Sequence, residues 1–321
     1  MSLSIITVSW NHRDEIGAFL DAVDETRKGC SFPVEMVLVD NASQDGTADF
    51  VAEHYPWVKL VRSAANTGFA VGCNLGMEAA SGDYFLMFNP DAFAKAEALE
   101  AMMDFLKKHP EVGAVGCTLL HDDGKPQISA YADMGPLSYI MNQSAIYPVW
   151  ERVRKVLYSL GLLQRTKPRR VGWLMGSCIM TPRAVFEKIG GIEPSYFMYC
   201  EDCDWCARIR EAGWEVVHLP TVSVRHRQKG STKRAPEFTF RRVYRSVVHY
   251  ANRNIRGPRR ELFHYVMLGD FYLRLPLYRL VAMMKPARRE AIAERIRSVR
   301  RMIDIIKARD PDLYDDPPPR K

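Results

Sequence analysis

The sequence lacks a long apolar run and an even set of cysteines. No uninterrupted apolar stretch reaches the ~18 residues that a helix needs to cross a bilayer. The nearest candidate, Tyr265–Met284, is interrupted by charged residues and a proline, so at most it lies in a membrane interface. The seven cysteines are odd in number, and several lie inside apolar runs, which suits a reducing compartment better than a disulfide framework.

The first residues also lack the features of a leader. Met1–Val8 contains no basic region and enters a strand pattern at once, so we expect no signal peptide. The predicted compartment is therefore the cytoplasm, with peripheral association at the inner face of the cell membrane left open.

The G-x-G-x-x-G fingerprint of dinucleotide-binding proteins is absent, which argues against a nicotinamide or flavin enzyme. In its place Gly68, Gly72 and Gly76 recur at every fourth residue. They would lie on one helix face that can approach either a ligand or a strand of the sheet closely. The pattern does not decide between the two.

The charge is distributed unevenly. From Arg225 to Lys321 there are 25 lysine and arginine residues against 10 acidic ones, whereas residues 1–224 have 20 against 28. A basic region beside an acidic one suggests an anionic partner such as a phosphorylated substrate, a lipid surface or nucleic acid. Solvated helix faces are the simpler alternative.

Strand and helix patterns alternate from Ser4 to Leu119 and include helices at Thr47–His54 and Ala96–Lys108 and a strand at Tyr84–Phe88. This alternation predicts an α/β fold with a mostly parallel central sheet and helices on both faces, followed by a basic helical C-terminal appendage. Further along the chain, strands are expected at Trp173–Met180 and Glu215–Leu219, and one C-terminal helix at about Arg259–Arg274. The expected boundaries are 1–236 for a catalytic domain with an acceptor-side insertion at 121–167, 237–309 for the basic helices, and 310–321 for a flexible tail.

Polar residues follow the predicted strands where open α/β sheets bind ligands. Asp40 ends one strand, and Asn89 and Asp91 follow another. Their oxygens suit Mg²⁺ or Mn²⁺, and a histidine ligand such as His226 would favour Mn²⁺. A divalent cation is therefore the predicted cofactor, although each of these residues taken alone could be a turn cap or a surface residue.

The segment Cys200–Cys206 permits two interpretations. Three cysteines spaced as C-x-x-C-x-x-C could hold an iron centre, but an iron–sulfur cluster needs a fourth ligand, and no later cysteine supplies one. Alternatively, Asp202 lies at the start of a helix, where the helix dipole would lower its pKa and keep it ionised as a general base. A capping role is compatible with either function.

Several motifs together resemble family 2 glycosyltransferases of the GT-A fold, most closely the rhamnosyltransferase-like subgroup. They occur in the family's order and span residues 4–231. The segments that carry the resemblance are Ser4–Asn11, Val37–Thr47, Asn66–Gly76, Phe88–Asp91, Gly190–Asp204 and His226–Ser231.

The resemblance implies inverting transfer of a sugar, with a rhamnose-like deoxyhexose favoured, from a dTDP- or UDP-linked donor to a glycan or polyprenyl-diphosphate-linked acceptor. Asp202 would be the catalytic base, while Asp91 and His226 would hold the metal. Asn89 replaces the first aspartate of the family's D-x-D motif, which could weaken metal affinity. The remaining implied roles are nucleotide-sugar binding by Ser9, Asn11, Asp40, Asn66, Gly68, Asn74 and Asn89, and acceptor binding by Trp173, Gly191, Glu201 and Trp205.

Two other functions are weighed against this one. A sugar nucleotidyltransferase would need a glycine-rich basic loop near its amino terminus, and Ser4–Asn11 has none. A nucleic-acid-binding module built on the basic tail would leave the acids without a role, so no nucleic-acid partner is expected. For the C-terminal helices, docking on an anionic membrane and packing as a homodimer interface both stay open. In the first case, arginines including Arg245 would contact the lipid, and the aromatic run Phe263–Tyr278 would embed its apolar side.

Overall fold

A computed structural model describes residues 1–160, 166–227 and 236–314. They form two compact units, the first made of residues 1–132 and 166–227 and the second of residues 133–160 and 236–314. The sequence predicted domain boundaries at 121, 167 and 236. Contacts in the structure group the residues differently, but they do not test whether those segments are independent domains, so the boundaries stay a prediction.

The first unit is built on strands. These are β1 (Leu3–Ser9), β2 (Val34–Asp40), β3 (Lys59–Arg62), β4 (Tyr84–Phe88), β5 (Ala92–Phe93), β6 (Val112–Leu120), β7 (Ala130–Tyr131), β8 (Arg169–Arg170), β9 (Trp173–Leu174), β10 (Cys178–Pro182) and β11 (Glu215–His226). Its helices are α1 (Ile16–Gly29), α2 (Thr47–His54), α3 (Phe69–Ala79), α4 (Ala96–Lys108), α7 (Arg183–Ile189) and α8 (Glu201–Glu211).

Nine of these strands form one sheet in the order β3-β2-β1-β4-β10-β6-β11-β5, with β8 paired to β11. The six principal strands run parallel, and β10 is inserted antiparallel between β4 and β6. The predicted mostly parallel sheet is therefore confirmed. The pair β7 and β9 forms a separate small sheet.

Alternation along β1 explains why both sheet faces are covered. Leu3 and Ile5 point into a core with α1 and α4, whereas Ile6 and Val8 face α3. A Cβ on Gly72 would lie 2.7 Å from Val8, and one on Gly76 would overlap Ile6. These two glycines therefore let α3 approach the sheet closely. The sequence pattern left open whether the glycine face meets a ligand or a strand, and for Gly72 and Gly76 it meets a strand.

Two predicted strands differ from the structure. The run Trp173–Met180, expected to be one strand, divides into β9 and β10, because residues 175–177 leave the sheet to contact side chains of the site. The strand expected at Glu215–Leu219 continues to His226 through an irregularity between Leu219 and Ser223. This extension brings His226 into register with Ala92 of β5.

The second unit is helical. Its elements are α5 (Pro136–Asn142), α6 (Tyr147–Ser159), α9 (Pro236–Asn254), α10 (Pro258–Met284), a 3-10 turn (Pro286–Arg288) and α11 (Arg289–Ala308). Helix α10, expected to end at Arg274, continues through Pro276 for ten more residues. No helix in the described residues has the length and apolar content required to cross a bilayer.

Candidate active site

Three adjacent parallel strands end in polar residues at one edge of the sheet. Ser9 at the end of β1 is in register with Asp40 at the end of β2, and β4 on the other side of β1 leads to Asn89 and Asp91. Ser9 and Asp40 are both buried. The carboxyl edge of the sheet thus collects residues that are far apart in the chain, as expected for a ligand crevice.

The buried carboxylate of Asp40 is only half satisfied. Its Oδ2 accepts a hydrogen bond from the backbone N–H of Ser43 at 3.0 Å, but its Oδ1 has no partner among the described residues. Nearby, Asn11 Oδ1 accepts a bond from the N–H of Gln44 at 2.8 Å. A buried acceptor without a donor is costly, so Asp40 Oδ1 is well suited to a ligand that donates a hydrogen bond.

The loop before α3 is held by amide side chains. Asn41 Nδ2 donates to Asn66 Oδ1 at 2.9 Å, and Asn66 Oδ1 also accepts from the N–H of Gly68. Gly68 has φ +89°, and a Cβ there would overlap the backbone of Phe197. Gly68 therefore permits close contact between its loop and the segment that leads to α8.

Asn74 and Gly191 contact each other. Asn74 Nδ2 donates to the carbonyl of Ile192, and Asn74 Oδ1 accepts from the N–H of Ile192, both at 2.7 Å. A Cβ on Gly191 would overlap Asn74 Oδ1. Both polar atoms of the Asn74 amide thus bind the turn before α8, which gives this side chain a positioning role.

Asp91 lies opposite His226, whose ring is held in place by Gln127. Asp91 Oδ1 lies 3.3 Å from His226 Nε2, and the two side chains are 13% and 7% exposed. Gln127 fixes the ring, because its Nε2 donates to the carbonyl of His226 at 2.5 Å while its Oε1 lies 3.0 Å from Nδ1. We assign the His226 tautomer that carries its proton on Nδ1, because Nδ1–H can then donate to Gln127 Oε1. In this tautomer Nε2 is directed at Asp91.

Consecutive residues of the loop between β9 and β10 connect the two predicted acid sites. Asn89 Nδ2 donates to Ser177 Oγ at 3.3 Å, and the N–H of Asn89 donates to the Ser177 carbonyl at 3.2 Å. The N–H of Gly176 donates to Asp202 Oδ2 at 2.9 Å. Asp202 and the Asn89–Asp91 turn are therefore tied to neighbouring residues of one short loop.

The environment of Asp202 corrects one expectation. Its Oδ1 accepts a bond from the N–H of Cys203 at 2.8 Å, as a residue in the first turn of a helix should. Burial nevertheless raises the pKa of Asp202 above its usual value, whereas the sequence predicted a lowered pKa. Desolvation outweighs the hydrogen bonds to the carboxylate, because it penalises the charged form.

Glu201 is affected more strongly. Burial, and then the charge of Asp202, raise the pKa of Glu201 to about 8, and its Oε2 has no partner in the described part of the chain. At neutral pH Glu201 therefore mostly keeps its proton, so it adds little negative charge beside Asp202.

The two tryptophans expected on the acceptor side differ in exposure. Trp173 is partly exposed and stacks on Tyr131, with ring centroids 4.0 Å apart and an interplanar angle of 7°. Trp205 is completely buried, and its Nε1 lies 3.4 Å from the carbonyl of Gly190. Trp205 thus supports α8 from within, while Trp173 lies at the partly exposed small sheet.

The structure gives no support to an iron centre. Cys200, Cys203 and Cys206 are free and buried. No group of three or more histidine, cysteine, aspartate or glutamate side chains suited to a metal occurs among the described residues. Asp91 and His226 therefore form a two-residue pair.

Sequence reasoning missed the residues that position the site. Gln127, Gly176 and Ser177 lie in irregular segments where no periodic pattern marks a role. Asn41 was detectable, since it follows Asp40 at the same strand end. The hydrogen bonds of the other three depend on contacts with residues 26 to 99 positions away.

The fold, with polar residues gathered at the carboxyl edge of a mostly parallel sheet, defines an α/β class of protein with a ligand crevice at that edge. The family model for Glycosyl transferase family 2 matches residues 4–190, more than half of the chain. The chain belongs to this family and is a glycosyltransferase, as the motifs predicted.

Curated relatives make the likeness more particular. Over 300 residues the chain is 28% identical to the N-acetylglucosaminyl-diphospho-decaprenol L-rhamnosyltransferase of Mycobacterium tuberculosis, covering 90% of this chain and 96% of the relative. It is 24% identical to the rhamnosyltransferase WbbL of Escherichia coli over 78% of this chain and 92% of the relative. These matches agree with the predicted rhamnosyltransferase-like subgroup.

A solved structure supports the fold. The mannosyltransferase PcManGT of Pyrobaculum calidifontis, in complex with GDP-Man and Mn²⁺, aligns with a TM-score of 0.56 and 19% identity. The alignment covers 96% of this chain and 85% of that protein. The predicted GT-A fold is thereby confirmed.

Proposed function

We propose that this protein transfers a rhamnose-like deoxyhexose, with inversion, from a dTDP- or UDP-linked donor to a hydroxyl of a lipid-linked glycan. The sugar and the acceptor class are supported by the relatives, whose names specify rhamnose and, in one case, a diphospho-decaprenol acceptor. Cell-surface polysaccharide synthesis is the corresponding process.

Asp202 is the proposed general base. Its carboxylate takes the proton of the acceptor hydroxyl while the hydroxyl oxygen attacks the anomeric carbon. The bond from that carbon to the diphosphate oxygen breaks, and the nucleoside diphosphate leaves with the bonding electrons. Since burial raises the pKa of Asp202, it binds a proton more readily than an exposed aspartate would.

Asp91 and His226 are the proposed metal ligands. Their facing oxygen and nitrogen, 3.3 Å apart, are a carboxylate and an imidazole, the donors that suit Mn²⁺. Gln127 holds the imidazole as an outer partner of a metal ligand does. Two protein ligands leave room for diphosphate oxygens, and a bound cation would offset the negative charge of the leaving group.

The sheet edge is the proposed nucleotide site. Asp40 Oδ1 would accept a hydrogen bond from the base, with Ser9 and Asn11 beside it and Asn66, Gly68 and Asn89 shaping the pocket. Asn74 and Gly191 act indirectly by holding the turn before α8. On the acceptor side, Trp173 is the proposed contact surface, with Glu201 neutral beside the base and Trp205 supporting α8.

One observation carries the proposal: the half-buried Asp202, whose pKa is raised, accepts a hydrogen bond from Gly176, and the next residue, Ser177, holds the Asn89–Asp91 turn. The test uses the full chain with Mn²⁺, a panel of nucleotide sugars and a diphosphate-linked acceptor analogue. Asp202→Asn should lower transfer by about 10²–10⁴-fold. Stabilisation of the protein by the nucleoside diphosphate should change little.

Glu211→Gln is the matched control, because Glu211 is exposed at the other end of the same helix. It should leave transfer unchanged. Near-normal turnover by Asp202→Asn would contradict the assignment of the base. A product with the same anomeric configuration as the donor would contradict inversion.

A further inference from the structure

The last ten residues of α10 contain no fully buried side chain. Up to Arg274 the helix buries a residue every three or four positions, including Phe263, Met267 and Phe271, each fully buried. From residue 275 to Met284 none is buried. Beyond Arg274 the core-facing stripe of α10 therefore continues only as the half-buried Leu275, Tyr278 and Ala282.

This protruding end is apolar. We call it the α10 tip, defined by Leu277, Leu280, Val281, Met283 and Met284, which are 39–71% exposed. At 100° per residue these five side chains occupy about 160° of the helix circumference. Soluble proteins seldom expose contiguous large apolar side chains of this kind without a partner.

Basic residues surround the tip. Arg279 lies within it, and Lys285, Arg288 and Arg289 follow at once in the connection to α11. Apart from Glu290 no acidic residue lies between positions 275 and 293. None of these four basic residues forms an ion pair with any part of the chain that the structure describes.

We propose that the α10 tip docks on the surface of an anionic lipid bilayer. Its apolar side chains enter the membrane interface, and the four basic residues Arg279, Lys285, Arg288 and Arg289 contact the lipid headgroups. Apolar residues beside clustered lysine and arginine are the chemistry of interfacial, non-spanning membrane binding. The charge argues against a second copy as the occupant. A symmetric contact through this tip would bring eight cations together, whereas anionic lipid would neutralise them.

The tip differs from the membrane surface expected from the sequence. That surface was to use the aromatic run Phe263–Tyr278, but Phe263 and Phe271 lie in the core of the helical unit. Arg245, also expected at the lipid surface, is buried and paired with Asp312. The region beyond Arg274 combines exposed apolar side chains with four basic side chains that form no ion pair among the described residues.

The proposal is tested by vesicle co-sedimentation of the full chain. One set of vesicles is phosphatidylcholine alone, and the other contains added phosphatidylglycerol, each at low and high salt. We expect binding to the phosphatidylglycerol vesicles, weakened by salt. Leu280→Glu/Met284→Glu should reduce this binding at least about 10-fold, and Arg288→Ala/Arg289→Ala should reduce it by about fivefold for each cation removed.

Two matched control variants test whether vesicle binding depends on the tip itself or on any exposed apolar or basic side chains. Leu262→Glu/Tyr265→Glu changes equally exposed side chains near the other end of α10, about 30 Å away. Arg297→Ala/Arg300→Ala removes the same charge from an exposed part of α11. Both controls should bind vesicles within about twofold of the unaltered chain, and unfolding curves should match for all variants.

Three outcomes would overturn the proposal. The unaltered chain could fail to bind the phosphatidylglycerol vesicles, or the controls could lose binding as much as the tip variants. The tip could also mediate dimers in sedimentation experiments without vesicle binding. The test is independent of the proposed chemistry, because Asp202→Asn should bind vesicles normally and tip variants should act normally on a water-soluble acceptor.

Discussion

Asp270 of the helical unit differs from two carboxylates of the sheet unit, Asp40 and Glu201, in how completely its oxygens are hydrogen-bonded. In the helical unit, Asp270 accepts hydrogen bonds from Tyr139 Oη at 2.8 Å, Arg274 Nε at 2.9 Å and the N–H of Ala145 at 2.7 Å. In the sheet unit, Asp40 Oδ1 and Glu201 Oε2 are buried without partners among the described residues. The first arrangement is complete within the protein, whereas the second has capacity that a ligand can fill.

The comparison teaches how to separate structural acids from functional ones. Burial alone does not distinguish them, since both kinds are nearly inaccessible. Among Asp270, Asp40 and Glu201 the number of satisfied oxygens does, because an unsatisfied buried acceptor is retained only where something offsets its cost. Each of the following experiments can break or sharpen this distinction.

The largest expected effect is on stability. Asp270→Ala leaves Arg274 buried and unpaired, which should lower the free energy of unfolding by roughly 3–5 kcal/mol. Urea denaturation measures it, with Glu294→Ala, an exposed residue on α11, as the control. A loss under about 1 kcal/mol would mean that Asp270 is not the structural acid its contacts imply.

Glu201→Gln should show a pH-dependent effect of intermediate size. Because the pKa of Glu201 is raised from 4.5 to about 8, the folded state binds a proton that the unfolded state releases between these values. Stability contributed by this group is therefore complete below pH 4.5 and is lost as the pH rises towards 8. The variant should remove roughly 2–4 kcal/mol of the decline between pH 5 and 8.

Unfolding of both proteins in urea at pH 5 and pH 8 measures this change. Glu211→Gln controls for loss of one negative charge on the same helix. Identical declines in the unaltered chain and in Glu201→Gln would show that Glu201 is charged in the folded state at neutral pH.

The smallest expected effect concerns Gln127. Gln127→Ala releases both hydrogen bonds that orient His226, so Mn²⁺ affinity in the presence of nucleoside diphosphate should fall about 10–100-fold. Gln127→Glu keeps an acceptor for Nδ1 and should lose less. Calorimetric titration measures both, and unchanged affinity in Gln127→Ala would contradict the metal assignment.

The sheet unit was largely predictable because its elements follow local patterns. Helices α2 and α4 and strand β4 have the bounds that periodicity and turn residues indicated. Strand ends also located Asp40 and Asp91, since polar residues after apolar strands meet at one sheet edge. Contacts with residues distant in sequence, such as Gln127 with His226, leave no such local pattern.

The helical unit was less predictable for the same reason. The sequence showed basic, helical residues beyond Glu237, but not which of their faces would be buried. Phe263 and Tyr265 are equally aromatic, yet the first is buried and the second is 65% exposed. Whether each of these side chains is buried depends on how α5, α9 and α11 pack on α10.

By itself, the sequence determined the order of strands and helices, the strand ends with their acids, and the membership of a sugar-transferring family, because these depend on short-range periodicity and on residues close together in the chain. Only the tertiary structure decided the raised pKa of Asp202, the tie through Gly176 and Ser177, and the exposed end of α10. These properties follow from burial and long-range contact, which exist only once distant segments have packed.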